Sequence, residues 1–142
     1  MTRVYVDMVA DLFHGGHVQF LRQARELGDE LVVGVHSDET VEGYKRRPIM
    51  TMQERMAVVA GCRYVDEVLA NAPMVLDEQW LTTHRIDLVV HGDDFDLASA
   101  TKMYGVAMER GIFRTVPYTP GVSTSDLLER MRWRIEEEKT NP

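Results

Sequence analysis

Two histidines, His14 and His17, bracket the glycine pair Gly15-Gly16. Glycine has no side chain, so backbone there can approach a ligand closely. The first turn of a helix offers unpaired N–H groups and a positive dipole end, a combination that attracts phosphate. The two imidazoles add nitrogen donors at the same spot. A single histidine at a strand end would be read as a satisfied core residue. Two of them around Gly-Gly, directly after an apolar run, point to a phosphate site. Three further stretches carry chemistry-bearing side chains. Lys45-Arg46-Arg47 is a basic cluster in an acidic chain. By itself it is a solvated face; beside a phosphate site it can neutralise a triphosphate or its pyrophosphate leaving group and close over the reaction. His91-Gly92-Asp93-Asp94 presents paired carboxylates, able to hold ribose hydroxyls or a metal, or simply to cap a turn. Pro120-Gly121-Val122-Ser123-Thr124-Ser125-Asp126 sets hydroxyls at a helix start, where they serve either as an ordinary cap or as phosphate ligands.

The elements that must position these residues follow from periodicity. Val4 to Val9 is an apolar strand, and Val18, Phe20, Leu21, Ala24 and Leu27 give the spacing of a helix. Gly28 is expected to cap that helix. Asp29 to His36 is a second, mostly apolar strand of the kind found inside a parallel sheet. Ser37 caps a short helix, and the capping box Thr51-Met-Gln-Glu54 opens another that runs to about Cys62. Val65–Leu69 predicts a third strand, Asp77–His84 a short helix and Ile86–His91 a fourth strand. Thr101–Arg110 is expected to be helical, Phe113–Pro117 to be a fifth strand, and a last helix runs from Ser123 to about Glu138. Residues 136–142 are expected to form a frayed tail. Strand and helix thus alternate through one domain, 1–142, which predicts an α/β fold: a Rossmann-like doubly wound parallel sheet of five strands. Ligands of such sheets sit beyond the carboxyl ends of the strands, where strand order reverses. His14 and His17, Asp93 and Asp94, and Ser123 and Thr124 all fall at such ends.

Composition narrows the function classes. The 142 residues carry a net charge of −7, with 44% apolar and 27% charged residues. That is an ordinary globular composition, and it argues against nucleic acid as the main partner, because a phosphate backbone requires a basic face. The single cysteine, Cys62, excludes an internal disulfide and fits a reducing, cytoplasmic compartment. No apolar run reaches membrane-spanning length and no signal peptide is evident, so no membrane partner is expected.

The segment Asp11-Leu-Phe-His-Gly-Gly-His17 resembles the His-x-Gly-His signature of the cytidylyltransferase family. The resemblance continues through Cys62-Arg-Tyr-Val-Asp-Glu-Val68, Asn71-Ala-Pro73 and His84 to His91, where it is closest to ethanolamine-phosphate and choline-phosphate cytidylyltransferases. It includes Pro120 to Asp126, which resembles the family's second signature, and it runs from about Val4 to Met131. It implies a nucleotidyltransferase that joins CTP to a small phosphorylated or phosphonate acceptor and releases pyrophosphate, with Mg²⁺ as cofactor. It implies His14, His17 and Lys45 as catalytic. On the nucleotide side it implies Val9, Asp11, Phe13 and Gly16 in the first motif, and His91, Gly92, Asp93 and Asp94 in the middle one. Tyr118, Gly121, Ser123 and Thr124 complete that side. For the acceptor it implies Arg55, Arg63, Met74 and Asp94. The region from Val65 to Pro73 is similar to the family's dimer contact, which implies a homodimer. Two departures stand out: Tyr118 replaces the family's arginine, and Met8 replaces its usual glycine. Met74 stands where choline-specific relatives show tryptophan, and no tyrosine follows Asp93-Asp94. A smaller acceptor than phosphocholine is therefore expected, such as phosphoethanolamine or a two-carbon hydroxy- or aminoalkylphosphonate. An adenylyltransferase on the same scaffold and a non-catalytic nucleotide-binding protein remain as alternatives.

Overall fold

Val4, Tyr5 and Val6 are all fully buried, because the strand that carries them, β1 (Arg3–Met8), lies in the middle of a sheet covered on both faces. In the computed structural model, which describes residues 1–141, β1 is followed by α1 (Gly15–Arg25), β2 (Glu30–Val35), α2 (Asp38–Glu42), α3 (Met52–Ala60) and β3 (Glu67–Leu69). Then come α4 (Glu78–Thr83), β4 (Leu88–Gly92), α5 (Leu97–Glu109), β5 (Phe113–Val116) and α6 (Thr124–Thr140). The five strands are all parallel, in the order β3-β2-β1-β4-β5. Val4 pairs with Leu31 on one side and with Leu88 on the other.

Successive side chains of a strand point to opposite faces, and two cores follow from that. Val4, Val6, Val33 and Val35 pack with Leu21 and Ala24 of α1 and Val59 of α3. Tyr5, Val32 and Val89 pack with Leu81 of α4 and Ala100, Tyr104 and Ala107 of α5. The chain leaves β1 in one direction to β2 and β3, then returns to add β4 and β5 on the other side. The switch point lies between β1 and β4, so the crevice beyond their carboxyl ends is where a ligand fits.

Four boundaries differ from the sequence reading. β3 has only three residues, because Val65 is held in a turn by its N–H bond to the Cys62 carbonyl. α5 begins at Leu97, four residues early, because Asp96 caps it by accepting from the Ser99 N–H. Gly28 does not cap α1, whose cap is Glu26; a Cβ at Gly28 would lie 2.8 Å from the Thr2 carbonyl oxygen, so close packing is what requires glycine there. The expected frayed end is helical as far as Thr140. No helix among the described residues is long and apolar enough to cross a membrane.

Candidate active site

The turn after β1 is backbone held out of its easy range. Ala10 and Leu12 have φ of 59° and 49°, the left-handed region that non-glycine residues seldom occupy. Such strain persists only when the surroundings fix it, and here they do. Both carboxylate oxygens of Asp11 accept backbone N–H groups, from Ile49 at 2.9 Å and Met50 at 3.0 Å. The Thr124 hydroxyl donates to the Asp11 carbonyl at 2.9 Å. Asp11 therefore ties the phosphate-loop candidate to the exit of the basic loop and to the start of α6, and its carboxylate is already occupied.

His14 and His17 form a capping box at the start of α1. His14 Nδ1 accepts from the Gly16 N–H at 3.0 Å, and His17 Nδ1 accepts from the His14 N–H at 3.0 Å. A backbone N–H can only donate, so both Nδ1 atoms are unprotonated and each ring carries its hydrogen on Nε2. Burial lowers the pKa of His14. Burial lowers His17 further, to about 4, helped by the neighbouring His14 ring and opposed by the Asp11 carboxylate. Near pH 7 both rings are thus neutral, each with one Nε2–H donor. The ring centroids are 4.0 Å apart, and Phe13 stacks on His17 at 5.2 Å with an interplanar angle of 12°. A Cβ on Gly16 would meet the His14 ring at 2.8 Å and the Val122 carbonyl at 3.1 Å, so only glycine fits between the two loops.

These histidines open into a cleft of about 700 Å³ at the switch point. Its lining includes Val9, Asp11, His14, Gly16 and His17 from the first loop and Lys45 from the basic loop. His91, Gly92 and Asp94 line it beyond β4, and Tyr118, Ser123 and Thr124 line it before and at the start of α6. His91 packs against the Tyr104 ring at 5.3 Å. Asp94 folds back on Gly92, where a Cβ would meet its Oδ1 at 2.8 Å. Ser123 caps α6 by accepting from the Asp126 N–H. Asp93 does not line the cleft; its carboxylate takes the Tyr118 N–H at 2.8 Å and fixes that segment. Gly121, with φ of 115°, supplies the bend before α6 that other residues would resist.

Of the four residues expected to meet the acceptor, Asp94 lines the cleft and the other three fall elsewhere. Arg55 is fully buried, and its guanidinium donates to the carbonyls of Met50, Val9 and His36 and to the Asp38 carboxylate. It is a strut that fixes the cleft's backbone, and it does not reach a ligand. Arg63 is exposed, lies over the Tyr64 ring at 5.7 Å and is outside the lining. Met74, half-buried, is also outside it.

One group in the lining is new. Asp7, at the end of β1, is buried; its Oδ1 accepts from the Tyr104 hydroxyl at 2.6 Å, while its Oδ2 has no partner among the described residues. His36 Nε2 is 3.8 Å from that oxygen. His36 Nδ1 sits 2.9 Å from the Ala72 carbonyl, which only accepts, so the Nδ1 carries hydrogen. A buried carboxylate oxygen without a donor is costly; this one is shut off from solvent, and Asp7 belongs to the cleft lining. The only sequence sign of Asp7 is an acid inside an apolar strand.

The family model described as "Cytidylyltransferase-like" matches residues 8–130. The chain belongs to this family. It is 47% identical over 130 residues to an ethanolamine-phosphate cytidylyltransferase of Dictyostelium discoideum, covering 91% of the chain and 36% of the relative. It is 43% identical over 133 residues to the human choline-phosphate cytidylyltransferase A, covering 92% of the chain and 36% of the relative. The chain thus spans about a third of the length of these relatives. Among solved structures, a lipopolysaccharide core biosynthesis protein of Thermoplasma volcanium superimposes with a TM-score of 0.68 at 27% identity, covering 86% of this chain and 99% of that one.

Proposed function

We propose that the chain is a CTP-dependent cytidylyltransferase whose acceptor is a small phosphoryl or phosphonyl compound bearing a primary amine, such as phosphoethanolamine or 2-aminoethylphosphonate. The observation that supports the acceptor class is the unpartnered Oδ2 of Asp7, a residue of the cleft lining. A primary ammonium donates three hydrogen bonds and brings the positive charge that a buried carboxylate lacks. A quaternary ammonium donates none and needs a cage of aromatic rings.

Family membership supports CTP as the nucleotide. An anionic oxygen of the acceptor attacks the α-phosphorus in line, the bond to the β-phosphate oxygen breaks, and pyrophosphate leaves. The attacking oxygen already carries its charge, so no base is required. The histidines accordingly act as neutral donors: their Nε2–H groups bind the phosphate oxygens on which charge grows, and the capping box has already set their orientation. Lys45 neutralises the triphosphate, and the Ser123 hydroxyl serves its distal end. Mg²⁺ brought with the triphosphate would supply neutralisation of the phosphate charge. Consistent with that, no group of three or more His, Cys, Asp or Glu among the described residues is arranged as a metal cage. We further propose a symmetric homodimer through the edge formed by β3 and the segment after it, the region whose sequence resembles the family's dimer contact.

The deciding experiment measures pyrophosphate release with CTP and with ATP across phosphoethanolamine, phosphocholine, 2-aminoethylphosphonate and 2-hydroxyethylphosphonate. The amines with CTP are expected to give the highest kcat/KM. A preference for phosphocholine or the hydroxy compound removes the role given to Asp7, and a preference for ATP removes the cytidylyltransferase reading.

A further inference from the structure

We propose that His36 sets the acceptor's selectivity together with Asp7: its Nε2 and the Asp7 Oδ2 converge as two hydrogen-bond acceptors on one primary ammonium, a demand that neither a hydroxyl nor a quaternary ammonium can meet. This inference rests on the proposed amine acceptor and names a second group that reads it.

His36 directly follows β2, and its place is fixed from three sides. Its backbone N–H donates to the Met8 carbonyl at 3.2 Å, its carbonyl accepts from Arg55 at 2.9 Å, and its Nδ1–H donates to the Ala72 carbonyl at 2.9 Å. His36 is 5% exposed and Asp7 9%. With its hydrogen on Nδ1, the neutral ring keeps a lone pair on Nε2. That nitrogen faces Asp7 Oδ2 at 3.8 Å, too far for a hydrogen bond and with an acceptor at each end. Two buried acceptors turned on each other destabilise the folded chain until something between them donates.

The side chains around the pair do not supply that donor. The Tyr104 hydroxyl gives its hydrogen to the other oxygen, Asp7 Oδ1, at 2.6 Å. The Tyr5 hydroxyl, on the same face of β1, makes no hydrogen bond among the described residues. Arg55 is occupied by three carbonyls and the Asp38 carboxylate. No lysine or arginine among the described residues pairs with Asp7. A water could bridge the two acceptors, but it brings no charge to offset the buried carboxylate, whereas an ammonium brings both. A nitrogen seated between acceptors 3.8 Å apart can stand at an ordinary distance, about 2.9 Å, from each. A primary ammonium has three N–H groups and serves both; a hydroxyl has one hydrogen and serves one. Asp7 belongs to the cleft lining and His36 does not, so the amine reaches the pair by way of Asp7.

The test measures kcat/KM with CTP for 2-aminoethylphosphonate and 2-hydroxyethylphosphonate in the parent, His36→Asn and His36→Gln. The N-methyl and N,N-dimethyl derivatives of phosphoethanolamine are added for the parent and His36→Asn, and thermal unfolding checks each fold. In His36→Asn the amide N–H takes over the bond to the Ala72 carbonyl, and nothing reaches the Nε2 position. The amine-to-hydroxyl ratio of kcat/KM is expected to fall by roughly tenfold or more, the loss of one hydrogen bond to a charged group. Glutamine sets an amide oxygen near the Nε2 position and should recover part of that ratio. The parent should tolerate one N-methyl group, which leaves two N–H groups, and lose roughly tenfold at the second; in His36→Asn that second step should shrink. A ratio in His36→Asn within about twofold of the parent overturns the proposal. So does a ratio that rises, because a protonated His36 would then have been pairing with Asp7 in competition with the ammonium. If His36→Asn does not fold, the parent's own methyl series decides, and no drop at the second methyl overturns the proposal. A parent that prefers the hydroxy compound or phosphocholine fails the amine reading and this inference with it. A parent that prefers amines while His36→Asn keeps the ratio leaves the amine reading standing and removes His36 alone.

Discussion

The proposed function adds a second job, on Nε2, to the capping bond that His17 makes through Nδ1, and the two can be separated. Its Nδ1 accepts the His14 N–H, which leaves its hydrogen on Nε2, and His17 belongs to the cleft lining. In His17→Asn the side-chain oxygen falls near the place of Nδ1 and keeps the cap, but nothing reaches the Nε2 position. In His17→Ala both are lost. The loss of one preorganised donor to developing phosphate charge costs on the order of a hundredfold to a thousandfold in kcat. Both variants should show it. Stability should split them. His17→Ala loses one backbone acceptor, about 1 kcal/mol, and the Phe13 stack, about 0.5–1.5 kcal/mol. A chain of this size loses roughly 3–5 °C in Tm per kcal/mol, so a fall of about 5–12 °C is expected for Ala. The asparagine variant should fall only as far as the lost stack requires. The assays are pyrophosphate release under saturating CTP and thermal unfolding followed by circular dichroism. An asparagine variant with kcat within about threefold of the parent would refute the donor role. Equal Tm losses in the two variants would refute the capping role.

Asp7→Asn should raise KM for amine acceptors by at least about tenfold while leaving KM for CTP within about twofold, because it removes a charge and not a nucleotide contact; an acceptor titration checks it. Arg55→Met should cost about 3 kcal/mol or more in urea unfolding, since it strands the Asp38 carboxylate and three carbonyls that the guanidinium now satisfies. His17 is neutral in the folded state down to about pH 4, whereas the unfolded chain takes up the proton near 6.5. The unfolded state therefore binds more protons in that window, and stability should fall as pH drops from about 6.5 toward 4, by up to roughly 3 kcal/mol from this group. Urea midpoints measured across that range should be less acid-sensitive in His17→Asn. Sedimentation equilibrium should report twice the 16.3 kDa chain mass.

The sheet was legible because its cause is local and repeated. Apolar runs such as Leu31-Val-Val33 and Val89-Val90 alternate with helical periods, and that alone fixes the α/β class. The His14 and His17 turn was legible because glycine and histidine types declare their chemistry. What escaped depends on partners distant in the chain. Arg55 looks like any helix arginine until Val9, 46 residues away, is placed against it. Asp7 looks like an acid that interrupts a strand until Tyr104, 97 residues away, is found to satisfy only one of its oxygens. Asp96 caps α5, but aspartate suits a turn as well as a cap, so its type alone does not mark the helix start.

The knot at Asp11 has a consequence for the order in which the protein becomes active during synthesis. Its side chain waits for Ile49 and Met50, and its carbonyl waits for the Thr124 hydroxyl. A nascent chain emerging from the ribosome can pair β1 through β5 once Val116 is out, yet the wall of the cleft supplied by Ser123 and Thr124 is still inside the exit tunnel. The strained Ala10 and Leu12 would then lack one of the contacts that hold them. Nucleotide binding should therefore arrive late in translation, after the sheet and as α6 docks. Stalled chains with Val116 outside the tunnel and α6 still within it would be folded bystanders that do not compete for CTP.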